Sequence, residues 1–321
     1  MKLPLALVAF AVLAAPLWAD EGMWTFDNIP EDQLFERHGF IPDAAWLEHA
    51  RLASLRFNDG GSGSFVSGDG LVLTNHHVAM GQLQKMSTPR RDCVKDGFYA
   101  RARGAERPCP DLEVNVLTSF EEVTRRVRAA VPDGMPAAAA AAARRAVTAK
   151  VEAESAAATG LRSDIVELYQ GGEYWLYRYK KYTDIRLVMA PEVGAAFYGG
   201  DDDNFTYPRY ALDFAFFRVF EGGRPVRPAA FLPLHPPGPK EGEPLLVSGH
   251  PGGTDRLMTQ AQLDFERRMT VPERLALVRS RLEATKAFQA RSPESARRGR
   301  DPRFNLETAD KALTGAAEGL G

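Results

Sequence analysis

Two histidines and an aspartate in this chain have neighbours that suit proton transfer. His76 and His77 follow a short apolar strand that returns from the turn at residues 68–70, and Asp213 precedes a second apolar strand, residues 214–220. A histidine held by a carboxylate can take the proton of a hydroxyl group, which makes these residue types the base and the orienting acid of a nucleophilic triad. Adjacent residues on an extended segment face opposite ways, so we expect only one of the two rings to enter the site. The third member, a serine placed for activation, is not evident from its neighbours.

The start of the chain has the pattern of a secretory signal peptide. Lys2 precedes a short apolar stretch, residues 3–17, and the small residue Ala19 precedes the expected cleavage position. The stretch is too short to cross a bilayer. We therefore expect residues 1–19 to be removed and the mature chain to be periplasmic or secreted, with no membrane-spanning segment.

Charge and composition give no sign of a nucleic-acid, membrane or metal partner. The formal net charge is −2, and the basic stretches lack interleaved aromatic residues. Such a balance gives no reason to expect nucleic acid or an anionic membrane as a partner. The acidic run at residues 201–204 lacks the glycine and the distal glutamate of a calcium loop, so we expect no metal there.

The two cysteines, Cys93 and Cys109, lie in a segment rich in proline and glycine. In an oxidising compartment such a pair is expected to form a disulfide. The alternative is two separate buried thiols. A zinc site would need a suitably spaced histidine, which the segment lacks.

The pattern along the chain predicts a mainly β fold with helical insertions. Short strands and turns dominate residues 20–260, with an alanine-rich and then charged helical excursion at residues 121–168. A further apolar strand is predicted at residues 245–249. From residue 261 to residue 321, apolar residues recur at helical spacing among many charges. We therefore expect one mainly β domain followed by the start of a helical domain.

Several segments spread along the mature chain carry a resemblance. They are residues 20–24, 63–67, 74–77, 174–184, 199–201, 203–209 and 213–214. In this order they resemble the exported bacterial dipeptidyl-peptidase 7 and dipeptidyl-peptidase 11 family of serine aminopeptidases. The resemblance implies a chymotrypsin-like double β-barrel with an inserted helical domain. On that plan, this chain supplies the first barrel, the opening strand of the second barrel at residues 245–249, and the truncated start of the helical domain.

The resemblance also assigns roles to residues. His77, the second histidine of the pair, corresponds to the general base, and Asp213 corresponds to the acid that orients it; Asp184 is the rival carboxylate. Asn204 and Phe205 correspond to the positions that hold the free α-amino group of the substrate. An amide oxygen can accept hydrogen bonds from an ammonium group, and an aromatic face can shelter it. The family usually has tryptophan where Phe205 stands, so an N–H donor is missing here.

The resemblance places the nucleophilic serine outside this chain. Family members are more than twice as long, and their serine lies near the far C-terminus. Ser62 and Ser64 open the hairpin that leads to His77, whereas the nucleophile of a two-barrel peptidase comes from the other barrel. The implied function is the release of dipeptides from the N-termini of oligopeptides, without a metal or organic cofactor and with a homodimer suggested. The alternative is a secreted, catalytically inactive protease-like protein that binds peptide N-termini.

Overall fold

The structure, a computed structural model, describes residues 22–196, 210–250 and 258–321. The expected signal peptide and its cleavage position therefore lie outside the described residues. Among the helices within these ranges, none combines the length and the apolar character needed to cross a membrane.

The chain divides into two compact units, Met1–Pro42 and Asp43–Gly321. The described part of the first unit contains helix α1, Glu31–His38. This helix ends at Gly39, whose left-handed backbone (φ 64°) suits a residue without a Cβ atom.

The described part of the second unit contains an 11-stranded sheet and ten α-helices. The strands are β1 Ser54–Phe57, β2 Ser62–Phe65, β3 Leu71–Thr74, β4 Phe98–Tyr99, β5 Arg107–Pro108, β6 Val114–Glu122, β7 Arg162–Leu168, β8 Glu173–Tyr182, β9 Asp184–Ala190, β10 Ala215–Glu221 and β11 Arg224–Pro225. The helices are α2 Ala44–Ala53, α3 His76–Met86, α4 Cys93–Asp96, α5 Thr124–Ala129, α6 Ala137–Thr159, α7 Val193–Ala196, α8 Gln260–Phe265, α9 Val271–Gln289, α10 Pro293–Arg298 and α11 Arg300–Gly319. A π-helical turn, Glu266–Thr270, joins α8 to α9.

Every strand pair in this sheet is antiparallel, and the paired strands follow one path from β4 to β7. The order is β4-β9-β10-β3-β2-β1-β6-β8-β7, with β5 paired to β9 and β11 paired to β10. Only Thr183 separates β8, which pairs with β6, from β9, which pairs with β10. The double β-barrel stays a prediction. The predicted mainly β fold with helical insertions is confirmed.

The core of this sheet consists mostly of side chains from alternate positions of its strands, as expected when one face of each strand is buried. The strand residues that are no more than 1% exposed are Leu55, Phe57, Phe65, Val72, Val114, Ile185, Leu187, Ala190, Ala215, Phe217 and Val219. The rings of Phe57 and Phe217 lie 5.9 Å apart between their centroids. Phe304 of α11 belongs to the same cluster, so this helix shares the core of the sheet.

The predicted helical excursion consists of α5 and α6, and it ends earlier than the composition indicated. Helix α6 has 23 residues and ends at Gly160. Val151 of this helix packs with Val127 of α5 and Leu176 of β8 in a second, smaller core cluster. The last part of the predicted excursion, residues 162–168, forms β7 because it pairs with β8 along its whole length.

Residues 245–249, predicted to form a strand, are not paired with any strand in the part of the chain that the structure describes. Leu245 is 71% exposed and Val247 is 96% exposed. The hydroxyl groups of Ser248 and Ser54 lie 2.7 Å apart, which ties this segment to the start of β1. The segment is not a strand within the described residues, since a strand needs a partner to satisfy its backbone N–H and C=O groups. Its role as the opening strand of a second barrel stays a prediction.

Cys93 and Cys109 lie in the same core cluster as free, buried thiols, so the structure does not contain the predicted disulfide. Burial raises the pKa of the Cys109 thiol to about 12. The Cys109 Sγ atom lies 3.6 Å from the carbonyl oxygen of Arg107 and is surrounded mainly by apolar side chains. The pairing of the two cysteines in an oxidising compartment stays a prediction.

Candidate active site

His77 lies in the first turn of helix α3. Strand β3 ends at Thr74, Asn75 follows with an extended backbone (φ −79°, ψ 152°), and the helix begins at His76. The expectation that this segment is extended is therefore wrong. The helix forms because one face of it, including Ala79 and Leu83, is fully buried in the core beside the sheet.

The two adjacent histidines nevertheless have different surroundings, because successive side chains of an α-helix are separated by about 100°. The side chain of His77 is 49% exposed, whereas His76 is 0% exposed. Burial lowers the pKa of His76, outweighing the opposing effect of the Asp213 carboxylate. His76 is therefore a neutral core residue, and His77 is the histidine that can meet a substrate.

Asp213 and His77 are within hydrogen-bonding distance. Oδ2 of Asp213 accepts a hydrogen bond from Nδ1 of His77 at 2.9 Å, and Oδ1 lies 3.2 Å from the same nitrogen. Oδ1 also accepts a hydrogen bond from the main-chain N–H of His77 at 3.1 Å. One carboxylate thus contacts both the ring and the backbone of His77. Its side chain is only 17% exposed, so water competes little for these bonds.

The position of Asp213 follows from two local features. The residue precedes β10 by two positions, and the main-chain N–H of Leu212 donates to the carbonyl oxygen of Ala195 in α7 at 2.9 Å. The carboxylate lies at the N-terminus of α3, where the backbone N–H groups of the first turn have no partner within the helix. A negative charge is stabilised at this end of a helix.

The hydrogen bonds define the tautomer of His77. Because a carboxylate can only accept, the proton of the neutral ring is assigned to Nδ1, which leaves Nε2 as an acceptor. Within the described ranges, the Asp213 carboxylate is the one hydrogen-bond partner of the His77 ring. The arrangement can take a proton at Nε2 and stabilise the resulting imidazolium through Asp213.

Sequence reasoning did not single out Asn75, which also contacts Asp213. Its Nδ2 atom donates to the main-chain oxygen of Asp213 at 3.1 Å and lies 3.4 Å from Oδ2. No signal in the sequence indicated this contact, because the preference for asparagine before a helix applies only once helix α3, which was not predicted, is known.

Ser62, in the hairpin that leads to His77, is bonded elsewhere. The Oγ atom of Ser62 accepts a hydrogen bond from the main-chain N–H of His250 at 2.7 Å. The Ser62 carbonyl oxygen accepts from the hydroxyl of Thr74, also at 2.7 Å. Among the residues with described positions, no serine hydroxyl forms a hydrogen bond with the ring of His77.

The remaining candidate residues have separate locations. Asn204 and Phe205 lie outside the described residues. Asp184, the rival carboxylate, accepts two hydrogen bonds from Arg186, each 2.9 Å long. The described ranges contain no group of three or more His, Cys, Asp or Glu side chains that could hold a metal ion.

A histidine paired with a carboxylate in this way can serve as the base and the orienting acid of a nucleophilic triad. Residues 19–321 match the peptidase S46 family. The chain therefore belongs to the peptidase S46 family.

Curated relatives of the chain are dipeptidyl peptidases. Dipeptidyl-peptidase 7 of Phocaeicola vulgatus is 29% identical over 312 residues, which is 90% of this chain and 43% of the relative. The Asp/Glu-specific dipeptidyl-peptidase of Porphyromonas endodontalis is 31% identical over 278 residues, which is 80% of this chain and 39% of the relative. This chain thus spans less than half the length of these relatives.

Solved structures show the same fold. The crystal structure of Porphyromonas endodontalis DPP11 in complex with the dipeptide Arg-Glu aligns with a TM-score of 0.78 and 24% identity. The alignment covers 94% of this chain and 46% of that one.

Proposed function

We propose that this chain supplies the base and the orienting acid of an exported serine-type dipeptidyl peptidase. The observation that carries the proposal is the 2.9 Å contact between His77 Nδ1 and Asp213 Oδ2 in a chain of the peptidase S46 family. The remainder of the catalytic apparatus, including the serine and the oxyanion hole, belongs to a segment beyond this chain.

The proposed reaction is acyl transfer to a serine. The serine Oγ attacks the carbonyl carbon of the second peptide bond of the substrate while its proton moves to Nε2 of His77. Asp213 stabilises the imidazolium, which then gives the proton to the leaving amine as the C–N bond breaks. Water, deprotonated by His77 in the same way, releases the dipeptide and restores the serine hydroxyl.

The domain plan is also a proposal. Residues 20–260 form the peptidase part, with the first barrel complete and residues 245–249 opening a second, chymotrypsin-like barrel. Residues 261–321 begin the helical domain. The exposure of Leu245 (71%) and Val247 (96%) supports this plan, because apolar side chains of this kind are usually covered.

The proposed substrates are oligopeptides with a free N-terminus, held by Asn204 and Phe205. The names of the relatives support this class, and a relative bound to the dipeptide Arg-Glu has the same fold. We further propose a periplasmic or secreted location and a homodimer, and a mechanism that uses no metal or organic cofactor.

The test compares the natural gene product, including any sequence beyond Gly321, with its His77→Ala variant and with residues 1–321 alone. The gene product should release dipeptides from fluorogenic dipeptidyl reporters. His77→Ala should lower turnover by a factor on the order of 10⁶, because triad members act as a unit. The 321-residue chain alone should release nothing.

Two results would contradict the proposal. Inhibitor-sensitive cleavage by the 321-residue chain would redirect the search for a nucleophile to Ser62 and Ser64. A gene product that binds peptide N-termini without releasing dipeptides would favour the inactive, peptide-binding alternative.

A further inference from the structure

Asn75 occupies the position before helix α3, yet its side chain does not cap that helix. Asparagine is favoured at this position because its side-chain oxygen can accept a hydrogen bond from a backbone N–H of the first turn. Here the side chain points to Asp213 instead. Its Nδ2 atom lies 3.1 Å from the Asp213 main-chain oxygen and 3.4 Å from the carboxylate oxygen Oδ2.

Contacts from Asn75 and His77 restrict how the Asp213 carboxylate is rotated. The main-chain N–H of His77 donates to Oδ1 at 3.1 Å, and Nδ1 of His77 donates to Oδ2 at 2.9 Å. The Asn75 amide lies on the Oδ2 side and also holds the main chain from which the carboxylate projects. Asn75 is only two positions before His77, so the Asn75 amide, the Asp213 carboxylate and the His77 imidazole lie next to one another.

We propose that Asn75 is a positioning residue for His77, acting through Asp213. Its amide holds the main chain and the carboxylate of Asp213 so that Oδ2 faces Nδ1 of His77 and the proton stays on that nitrogen. The base nitrogen Nε2 is then unprotonated before the substrate binds. This role rests on the proposed function, because it matters for catalysis only if His77 is the base.

A simpler role for Asn75 would be to start helix α3, and an aspartate substitution separates the two roles. Aspartate is as good as asparagine before a helix, so Asn75→Asp should be harmless if Asn75 serves only α3. If Asn75 acts by donating to Asp213, the substitution places a second carboxylate beside Oδ2. Two adjacent carboxylates repel each other when both are ionised, whereas the new carboxyl group could still donate when protonated.

The experiment measures kcat and KM against pH for the natural gene product and for Asn75→Ala, Asn75→Asp and Asn58→Ala. Asn58 is the matched control: it also follows a strand and donates to a main-chain carbonyl, that of Asp111, at 2.9 Å. For Asn75→Ala we expect kcat to fall about tenfold with KM unchanged, since one oriented hydrogen bond to the acid is lost. For Asn75→Asp we expect the ratio of its kcat to the kcat of the parent to decrease as the pH rises. Asn58→Ala should match the parent.

A spectroscopic measurement tests the same role without activity. The proton on Nδ1 of His77, bonded to a carboxylate, should give a resolved downfield NMR signal in the parent. The signal should broaden or disappear in Asn75→Ala as the proton exchanges faster with water. If the gene product had no peptidase activity, the proposed function would fail, and the NMR comparison would still decide whether Asn75 positions His77.

The proposal would be overturned by an unchanged Nδ1 signal in both Asn75 variants. It would also be overturned by kcat values within about twofold of the parent at every pH. If Asn75→Ala does not fold, as judged by its thermal unfolding, Asn75→Asp gives the decision alone.

Discussion

Replacing Asp213 by asparagine tests the proposed site most directly, because the structure determines which way the new amide must point. The main-chain N–H of His77 lies 3.1 Å from Oδ1 and can only donate. This donor is fixed by the backbone, whereas the Asn75 amide near Oδ2, at 3.4 Å, belongs to a side chain that can turn away. We therefore expect the oxygen of the new amide to take the Oδ1 position, which leaves its NH₂ group in the Oδ2 position. That group then faces Nδ1 of His77 from about the present 2.9 Å. Two donors cannot bond, so His77 must move its proton to Nε2.

The change in tautomer sets the expected size of the effect. With the proton on Nε2, the ring cannot accept the serine proton, and the compensating carboxylate charge is also lost. The same change of tautomer in a trypsin-like triad lowers kcat by a factor on the order of 10⁴. This factor corresponds to about 5 kcal/mol of transition-state stabilisation. In the proposed mechanism this pair acts on the serine proton and does not hold the substrate, so we expect KM to change little.

The assay is dipeptide release from a fluorogenic dipeptidyl reporter by the natural gene product and its Asp213→Asn variant, at matched and saturating substrate. Thermal unfolding serves as the control for folding, because the neutral amide also loses a favourable charge at the N-terminus of α3 worth about 0.3–1 kcal/mol. A folded Asp213→Asn variant with kcat within about tenfold of the parent would refute the assignment of the orienting acid.

Three other predictions concern separate parts of the chain. The ratio of kcat/KM for a substrate with a free N-terminus to kcat/KM for its acetylated form should fall about tenfold or more in Asn204→Ala, because an acceptor for the ammonium group is lost. An unchanged ratio would exclude that role. In protein isolated from the periplasm and unfolded in denaturant, Cys93 and Cys109 should react with an alkylating reagent only after a reductant is added. Mass spectrometry that finds both thiols alkylated without reductant would exclude the disulfide. Burial, with the charge of Arg56, lowers the pKa of His250 from 6.5 to about 4. As the pH drops, His250 therefore takes up a proton in the unfolded chain before it does so in the folded chain. The free energy of unfolding should fall by up to about 3 kcal/mol between about pH 6.5 and about pH 4. Urea unfolding at each pH should show this loss in the parent and less of it in His250→Gln.

Local patterns predicted the parts of the fold that depend on neighbours in sequence. The hairpin β2–β3 follows from two apolar runs around the turn at Gly70, whose φ of 73° suits glycine. Strand β10 follows from its apolar run. The sequence alone also indicated His77 and Asp213 as candidate base and acid, because each lies beside a predicted strand. Their pairing, however, was inferred from a family resemblance, since nothing local brings together residues that are 136 positions apart.

Other features depend on tertiary contacts and were missed. Helix α3 begins at His76, one residue after a strand, because Ala79 and Leu83 are buried in the core. Composition favoured a helix through residue 168, but pairing with β8 makes residues 162–168 a strand. Strands β8 and β9 are separated only by Thr183 and pair with different strands, β6 and β10, which no periodicity in the sequence indicates.

The proposed base and its acid are held by contacts within the described part of this chain. The Asp213 carboxylate, in the loop before β10, contacts the His77 ring directly, and Asn75, which follows β3, contacts Asp213. The base and its acid are therefore held by one folded unit and do not need the serine to define their geometry. The Nε2 side of a ring that is 49% exposed remains accessible. In the proposed enzyme, the remaining requirement is that the segment beyond this chain place one hydroxyl group at that nitrogen, and this is a requirement of position rather than of further proton-transfer chemistry.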